Sequence, residues 1–510
     1  MNIALVIIAA FLALAIFLGI RARRGKDMDL EQWTVGGRGF GTIFVFLLMA
    51  GEIYTTFTFL GGSGWAYGQG GPAFYILSYG CLAYILSYWM LPAIWSYAKE
   101  NRLVSQSDFF VSKYRSPYLG VLVSLVTVIA MVPYLALQFK GLGIIVSVTS
   151  LGTISSTVAA IIGAVAVTVY VTISGIHGSA WTAVVKDFTV LAVAIFLGLY
   201  LPLSLYGGFQ PMFEQINEAR PGFLTLPSEG LSVSWFISTV LLTALGFYMW
   251  PHTFGASYTA QNADVFRRNA IIMPLYQLLI LFIFFVGFAA ILEVPNLGED
   301  EVDLALLEIT TQTFPAWFVG IVGGVGLLTA LVPGSLLLMV SATVLVNNVY
   351  KAFVPSTTDQ QVANYAKFVV PVVALAALYF TLSGGQTIVI LLLLGYSLVT
   401  QLFPSLLFSL MANNFVTKYG AAAGIVVGVA VVAYVTITGA TIGTLFPFLP
   451  QAVQDINVGV IALFANVVVM AVVSLATRGT VAKEVPEPEA SAWEGRDRDT
   501  AQQPAGDREV

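Results

Sequence analysis

Charge is what this sequence has least of. Only 10% of its 510 residues are Asp, Glu, Lys or Arg, and 58% are apolar. A soluble protein carries about 25% charged residues, so a soluble fold of this length could not coat its surface. Cysteine is nearly absent too. Cys81 stands alone, which excludes a disulfide framework and a cysteine metal cluster. Two histidines, His177 and His252, leave too few ligands and acid–base groups for a membrane metalloenzyme. No nucleophile–base pairing emerges either, so an enzyme is not expected. Basic residues do not outnumber acidic ones, and the net charge of −5 excludes a basic nucleic-acid binder.

What the sequence has instead is long apolar runs. Thirteen lie near 3–20, 41–64, 72–97, 118–147, 154–174, 179–206, 233–256, 270–292, 315–349, 366–383, 386–412, 419–441 and 458–477. They are numbered here as spans 1 to 13. Most exceed strand length and none alternates as a membrane barrel strand would. Helices satisfy their own backbone groups in lipid, and about 20 apolar residues cross a bilayer. The reading is an all-α integral membrane protein. Span 1 has no basic residue before it and Arg21, Arg23, Arg24 and Lys26 after it. That is the reverse of a secretory signal, so span 1 is expected to stay, with its N-terminus outside.

Basic residues then fall on alternate connections. Nineteen of the 22 Lys and Arg lie on one side, counting the C-terminal tail, and Arg220 alone lies on the other. This positive-inside asymmetry supports thirteen spans, with the C-terminus inside. Two outer loops are acidic. One holds Glu214, Glu218 and Glu229; the other holds Glu293, Glu299, Asp300, Glu301, Asp303 and Glu308. Both are read as solvated faces. Residues 1–478 form the membrane domain. Residues 479–510 turn polar and are expected to be a disordered cytoplasmic tail.

Four charged residues fall inside spans: Glu52, Lys140, Lys186 and Asp187. A charge near the bilayer centre costs roughly 2.5–3.5 kcal/mol or more, so such groups mark solute or ion paths. Glu52 precedes Ile53-Tyr54-Thr55-Thr56 and a glycine-rich stretch through Gly70-Gly71-Pro72, where glycines and hydroxyls weaken the helix. Span 7 is interrupted at Trp250-Pro251-His252, because proline removes a helix hydrogen bond. Interruptions at matching positions of two halves point to a transporter site. Lys186 and Asp187 are adjacent, about 100° apart on a helix, so they need not pair with each other. Lys140, in the outer half of span 4, is expected to snorkel outward.

These stretches resemble the sodium:solute symporter family. The likeness covers about 1–478. It rests on Gly61-Gly62-Ser63-Gly64 in span 2, Gly175-Ile176-His177-Gly178 leading to Lys186-Asp187, Trp250-Pro251-His252, and Asn347-Asn348-Val349-Tyr350-Lys351. The most specific part is Phe403-Pro404-Ser405-Leu406-Leu407 with the glycine-alanine run from Lys418 to Gly428. The resemblance implies a LeuT-like fold, with spans 2–6 and 7–11 as inverted repeats and helices 2 and 7 broken. It also implies a secondary transporter working by alternating access, with Na+ or H+ as coupling ion and no other cofactor. Within the family, Gly175 to Asp187, Met249 to Phe254 and Leu331 to Leu336 resemble the bacterial monocarboxylate permease branch, which implies lactate- or pyruvate-like solutes. Sodium-coupled uptake of an amino acid such as proline, of pantothenate or of a sugar is the alternative. A solute sensor on a transporter fold is a third class.

The family's sodium carriers place adjacent hydroxyls in span 9, facing backbone carbonyls of span 2. Here Val332 and Pro333 stand at that position, and neither offers a side-chain oxygen. Lys186 adds a cation on span 6, so its ammonium is expected to replace sodium. Burial disfavours a charged amine in general, which would let such a lysine release and recapture a proton. Asp187 and Ser335 match a second sodium site of some relatives, which keeps sodium coupling open. Gly51, Tyr54, Lys186, Asp187 and Ser335 are thus the candidate ion-coupling set. Glu52, Thr55, Thr56, Trp250 and His252 are the candidate solute contacts.

Overall fold

The computed structural model describes residues 3–23, 41–51 and 53–481. All its regular elements are helices, with no strand among the described residues. Glu52 and the tail beyond 481 lie outside them. Among the described residues, ten helices are long and apolar enough to cross a membrane, and the bent pair Val233–Met249 with Pro251–Thr259 makes an eleventh. The thirteen expected spans exceed this count for two physical reasons. Span 2 is split into Thr42–Gly51, the π-helix Phe57–Gly62 and Ser63–Gln69. Span 5 is the shorter apolar helix Ser156–Thr172.

One helical run carries both span 5 and span 6. The backbone stays helical from Ser156 to Tyr206, over 51 residues. A straight rod of that length would run about 77 Å, more than twice a bilayer's hydrocarbon core. The rod is sharply bent instead. The Tyr170 and Thr182 hydroxyls sit 2.8 Å apart, although twelve residues of straight helix would separate their Cα atoms by about 18 Å. Both ends of the run lie near the start of span 9. Ser156 meets Gly143, close to Thr149, which packs on Gly323; Phe196 packs on Phe318 with ring centroids 5.2 Å apart.

Span 9, Ala316–Val344, is the most enclosed of the candidate spans, with 94% of its apolar window buried. It packs against spans 1, 4, 5–6 and 10. In lipid, helices lack a hydrophobic drive to associate, so close backbone approach supplies the attraction. Span 9 meets span 1 this way: a Cβ at Gly320, Gly323 or Gly324 would come within 2.8, 2.8 and 2.4 Å of Ala4, Ile8 and Phe11.

One acidic loop is not the solvated face it was expected to be. Asp303 is buried, its side chain 1% exposed, and pairs with Lys140 at 2.8 Å. Lys140 therefore does not snorkel outward. Its Nζ donates to Asp303 Oδ2 and to the Gln386 carbonyl at 2.9 Å. The same carboxylate oxygen accepts the Ile388 backbone N–H at 3.0 Å. This knot ties span 4 and the start of span 11 to the short helix Glu299–Leu304. That helix lies against the second half of span 2, where a Cβ on Gly64 would come 2.6 Å from the Val302 carbonyl. The other acids of the two loops are exposed, apart from the partly buried Glu308.

Candidate functional site

The break in span 2 is finished by its own hydroxyls. The first helical segment ends at Gly51, and Ile53 N–H reaches back to the Ala50 carbonyl at 2.9 Å. Thr55 Oγ1 accepts the Phe57 N–H at 3.2 Å. Thr58 Oγ1 donates to the Ile53 carbonyl at 2.7 Å. Among the described residues of the break, the Gly51 and Tyr54 carbonyls are taken by Lys186. Its Nζ donates to Gly51 O at 2.6 Å and Tyr54 O at 3.0 Å. Asp187 Oδ1 lies 3.1 Å from the same nitrogen, with the two side chains 0% and 2% exposed. The adjacent residues thus do pair, because both reach toward the break.

A backbone break in lipid is tolerated where its carbonyls find partners. Here the partner is a tethered cation, fully enclosed. Four of the five residues expected to couple ions, Gly51, Tyr54, Lys186 and Asp187, meet at one point. Ser335, the fifth, lies on span 9 with its hydroxyl turned onto its own helix, donating to the Val332 carbonyl at 2.7 Å. Val332 and Pro333 are buried within the same helix.

Span 7 is broken on its own terms. The helix Val233–Gly246 tightens to a 3₁₀ turn at Phe247–Met249. Trp250 is extended, at φ −66° and ψ 128°, and Pro251 begins the segment Pro251–Ala256. The two halves meet at 51°. The Met249 carbonyl receives the Gln106 amide at 2.9 Å.

A narrow cavity of about 20 Å³ lies between the two breaks, room for about one water. Span 2 contributes Ile53, Phe57 and Thr58; span 3 contributes Tyr79 and Gly80; span 4 contributes Tyr134. Phe247 and Trp250 come from span 7, Gln277 from span 8, and Leu392 and Tyr396 from span 11. Trp250 is wedged among Tyr134, at 4.9 Å between centroids, and Tyr396, at 5.3 Å.

Of the expected solute contacts, Trp250 lines this cavity. His252 lines a neighbouring apolar one with Gln106, Leu336 and Met339. Thr55 and Thr56 are buried but border neither: Thr55 caps the break and Thr56 packs on Gly141. Glu52 falls outside the described residues. Gln277 was not expected from the sequence, because charged groups and helix interruptions, not neutral amides, mark the candidates there. A neutral amide in an apolar run is also costly to bury, and that signal was present in Tyr276-Gln277-Leu278.

The wedge suggests a steric test. A Cβ on Gly395 would sit 2.5 Å from Trp250 Cη2 and 3.1 Å from the Ala130 carbonyl. Overpacking forces rotamer or backbone shifts, and small misplacements at a binding centre cost about a hundredfold in rate. Gly395→Ala is expected to cut solute counterflow at least about tenfold, with the purified protein's helix content by circular dichroism unchanged. Wild-type counterflow would show that the cavity tolerates a displaced indole.

The family model of the sodium:solute symporters matches residues 33–428. This chain belongs to the sodium:solute symporter family. It is 68% identical over 478 residues to the uncharacterized symporter YhjB of Bacillus subtilis (strain 168), covering 94% of this chain and 98% of that one. It is 28% identical over 421 residues to a monocarboxylate transport permease protein of Rhizobium johnstonii, covering 81% and 84%. Among solved structures it matches a Na+-coupled sialic acid symporter in its substrate-bound outward-open state, with a TM-score of 0.75 at 16% identity over 93% of this chain and 97% of the other. Mhp1, a nucleobase-cation-symport-1 family transporter in a closed conformation, matches with a TM-score of 0.54 at 14% identity, over 90% and 96%. At such identities the likeness is one of fold, and the fold is LeuT-like. The symporter is thus a multi-pass secondary transporter rather than an enzyme, from a family whose general coupling ion is sodium.

Proposed function

We propose that this symporter takes up small monocarboxylates of the lactate and pyruvate class across the cytoplasmic membrane by alternating access, and that a proton carried on Lys186 stands in for coupling sodium. The observation that carries the coupling is the position of Lys186 Nζ, on the Gly51 and Tyr54 carbonyls at 2.6 and 3.0 Å and beside Asp187 at 3.1 Å. Sodium needs oxygen ligands. Val332 and Pro333 supply none from their side chains, and the carbonyls of the break are already engaged by an ammonium. The solute class is supported by the likeness to the monocarboxylate permease. The N-terminus is assigned outside and the C-terminus inside from the positive-inside asymmetry.

In this scheme the protonated ammonium clamps the broken span 2 to span 6. Loss of its proton to the inner water leaves a neutral amine, which holds two carbonyls and a carboxylate far less strongly than a charged donor does. The clamp then loosens, and reprotonation from outside resets it. Trp250 forms one wall of the solute site.

The test is uptake of labelled lactate and pyruvate into proteoliposomes holding the purified symporter. An inward proton gradient without sodium is expected to drive accumulation. Uptake that requires sodium at fixed pH and ignores the proton gradient would return coupling to a sodium bound at Asp187 and Ser335. Uptake of pantothenate, proline or a sugar in place of both acids would overturn the solute class.

A further inference from the structure

In alternating access, a solute held at the break of span 7 must leave toward the cytoplasm. One seam runs that way. It lies between the second half of span 7, from Pro251 to Ala256, and span 9, from Leu336 to Val344, and the chain from Val104 to Gln106 closes it. About 20 Å³ stays free along it, room for about one water, so the seam passes no solute in this state.

The closure is made by one short helix, Gln106–Tyr114, in the connection between spans 3 and 4. It is bonded to both walls of the seam. Toward span 7, the Gln106 amide donates to the Met249 carbonyl at 2.9 Å, and Phe109 packs on Phe254 with ring centroids 5.6 Å apart. Toward span 9, the Asp108 carboxylate accepts from the amides of Asn347, at 3.2 Å, and Asn348. The Ser105 hydroxyl donates to Asn348 Oδ1 at 2.8 Å. The walls cannot part without breaking one of these two sets. The same carboxylate accepts the Val104 and Ser105 N–H groups at 3.2 and 3.0 Å, which caps the helix. Hydrogen bonds to an ionised group are roughly twice as strong as neutral ones, so Asp108 carries much of the closure.

We infer that Asp108 is a positioning residue of the transport cycle: it holds the helix Gln106–Tyr114 across the seam between spans 7 and 9, and keeps the cytoplasmic exit closed until its bonds to Asn347 and Asn348 are released. Lys99, Arg102, Lys113 and Arg115 flank this helix, and the positive-inside asymmetry assigns it to the cytoplasmic face. The freed groups therefore meet the inner water. Exchanging protein partners for water has a modest net cost, which suits a contact that must reform in every cycle. This gate needs no particular solute or coupling ion, so it stands apart from the monocarboxylate and lysine readings.

The experiment reads access to the seam by thiol labelling. Thr343→Cys, in the seam at a position 3% exposed, is combined with Cys81→Ser to leave a single thiol. Inverted membrane vesicles, cytoplasmic face outward, are treated with a membrane-impermeant maleimide. Adding Asp108→Asn places an amide that also donates where four donors now converge. It is expected to raise the labelling rate about tenfold to hundredfold, the factor carried by hydrogen bonds to a charged group. Asn347→Ala with Asn348→Ala should do the same. That variant leaves the helix cap intact, so it decides the matter if Asp108→Asn does not fold. Native Cys81, on span 3 against Pro274, is the control. In Asp108→Asn without the other changes, it should label at the wild-type rate. Unchanged labelling of position 343 in either folded variant would overturn the gate. So would an equal rise at Cys81, which marks general loosening, or a rise confined to right-side-out vesicles, which puts the seam on the other face.

Discussion

Lys186→Met is expected to abolish accumulation of solute down a proton gradient, with at least about a hundredfold loss in the gradient-driven rate. Methionine keeps the length of the side chain and removes its charge and its donors. The Gly51 and Tyr54 carbonyls then lose the ammonium that now sits at 2.6 and 3.0 Å, and Asp187 loses its ion-pair partner. Removing one member of a buried pair costs about 3–5 kcal/mol, so a loss of transport could reflect unfolding. Two companions separate these outcomes. Lys186→Met with Asp187→Asn removes both charges, and should recover stability without recovering pH-dependent uptake. Lys186→Arg keeps a charge that does not titrate in the working range, so it should fold and exchange little solute. The measurement is initial uptake against external pH, beside the melting temperature in detergent. An unchanged pH profile in Lys186→Met would leave Lys186 a structural clamp and nothing more.

The second large effect is on stability. Asp303→Ala is expected to cost about 3–5 kcal/mol, because Lys140 would lose its carboxylate at 2.8 Å and the Ile388 N–H its acceptor at 3.0 Å. Burial pushes the Asp303 carboxyl above the ordinary carboxylate range, while Lys140 and the Ile388 N–H draw it part of the way back. A raised folded-state value means that Asp303's contribution is full below the ordinary carboxylate range and declines as pH rises through the folded-state value. The pair is therefore better regarded as a tie between elements than as a source of net stability. Lys140→Met with Asp303→Leu should then recover most of what Asp303→Ala loses. Cys81, the one thiol of the chain and only partly exposed, reports the transition. Its rate of labelling by a thiol-reactive fluorophore on heating should rise at a lower temperature in Asp303→Ala than in the double variant. Equal melting of Asp303→Ala and wild type would show that the knot bears no load.

The helical class and both broken spans were legible because they depend on local composition: apolar run length, the glycines after Thr56, and Pro251. The cation at the first break was legible for a similar reason. Lys186 is an expensive residue in an apolar run, and the missing hydroxyls at Val332 and Pro333 stand out against the family pattern. The Lys140–Asp303 pair was not legible, since its members lie 163 residues apart and Asp303 sits among acids that are exposed. The lining of the cavity was less legible, because neighbours in sequence point different ways. Trp250 faces the cavity, while His252, two residues on, faces the next one.

The ammonium at the break of span 2 is attached to the chain by its own carbon stem. Its local concentration does not vary with the salt content of the medium, and it has no off-rate into bulk water. A carrier built on it would keep working in fresh or potassium-rich surroundings where a freely bound ion would be scarce. Its exposure would lie instead with alkaline habitats, which strip protons from both faces.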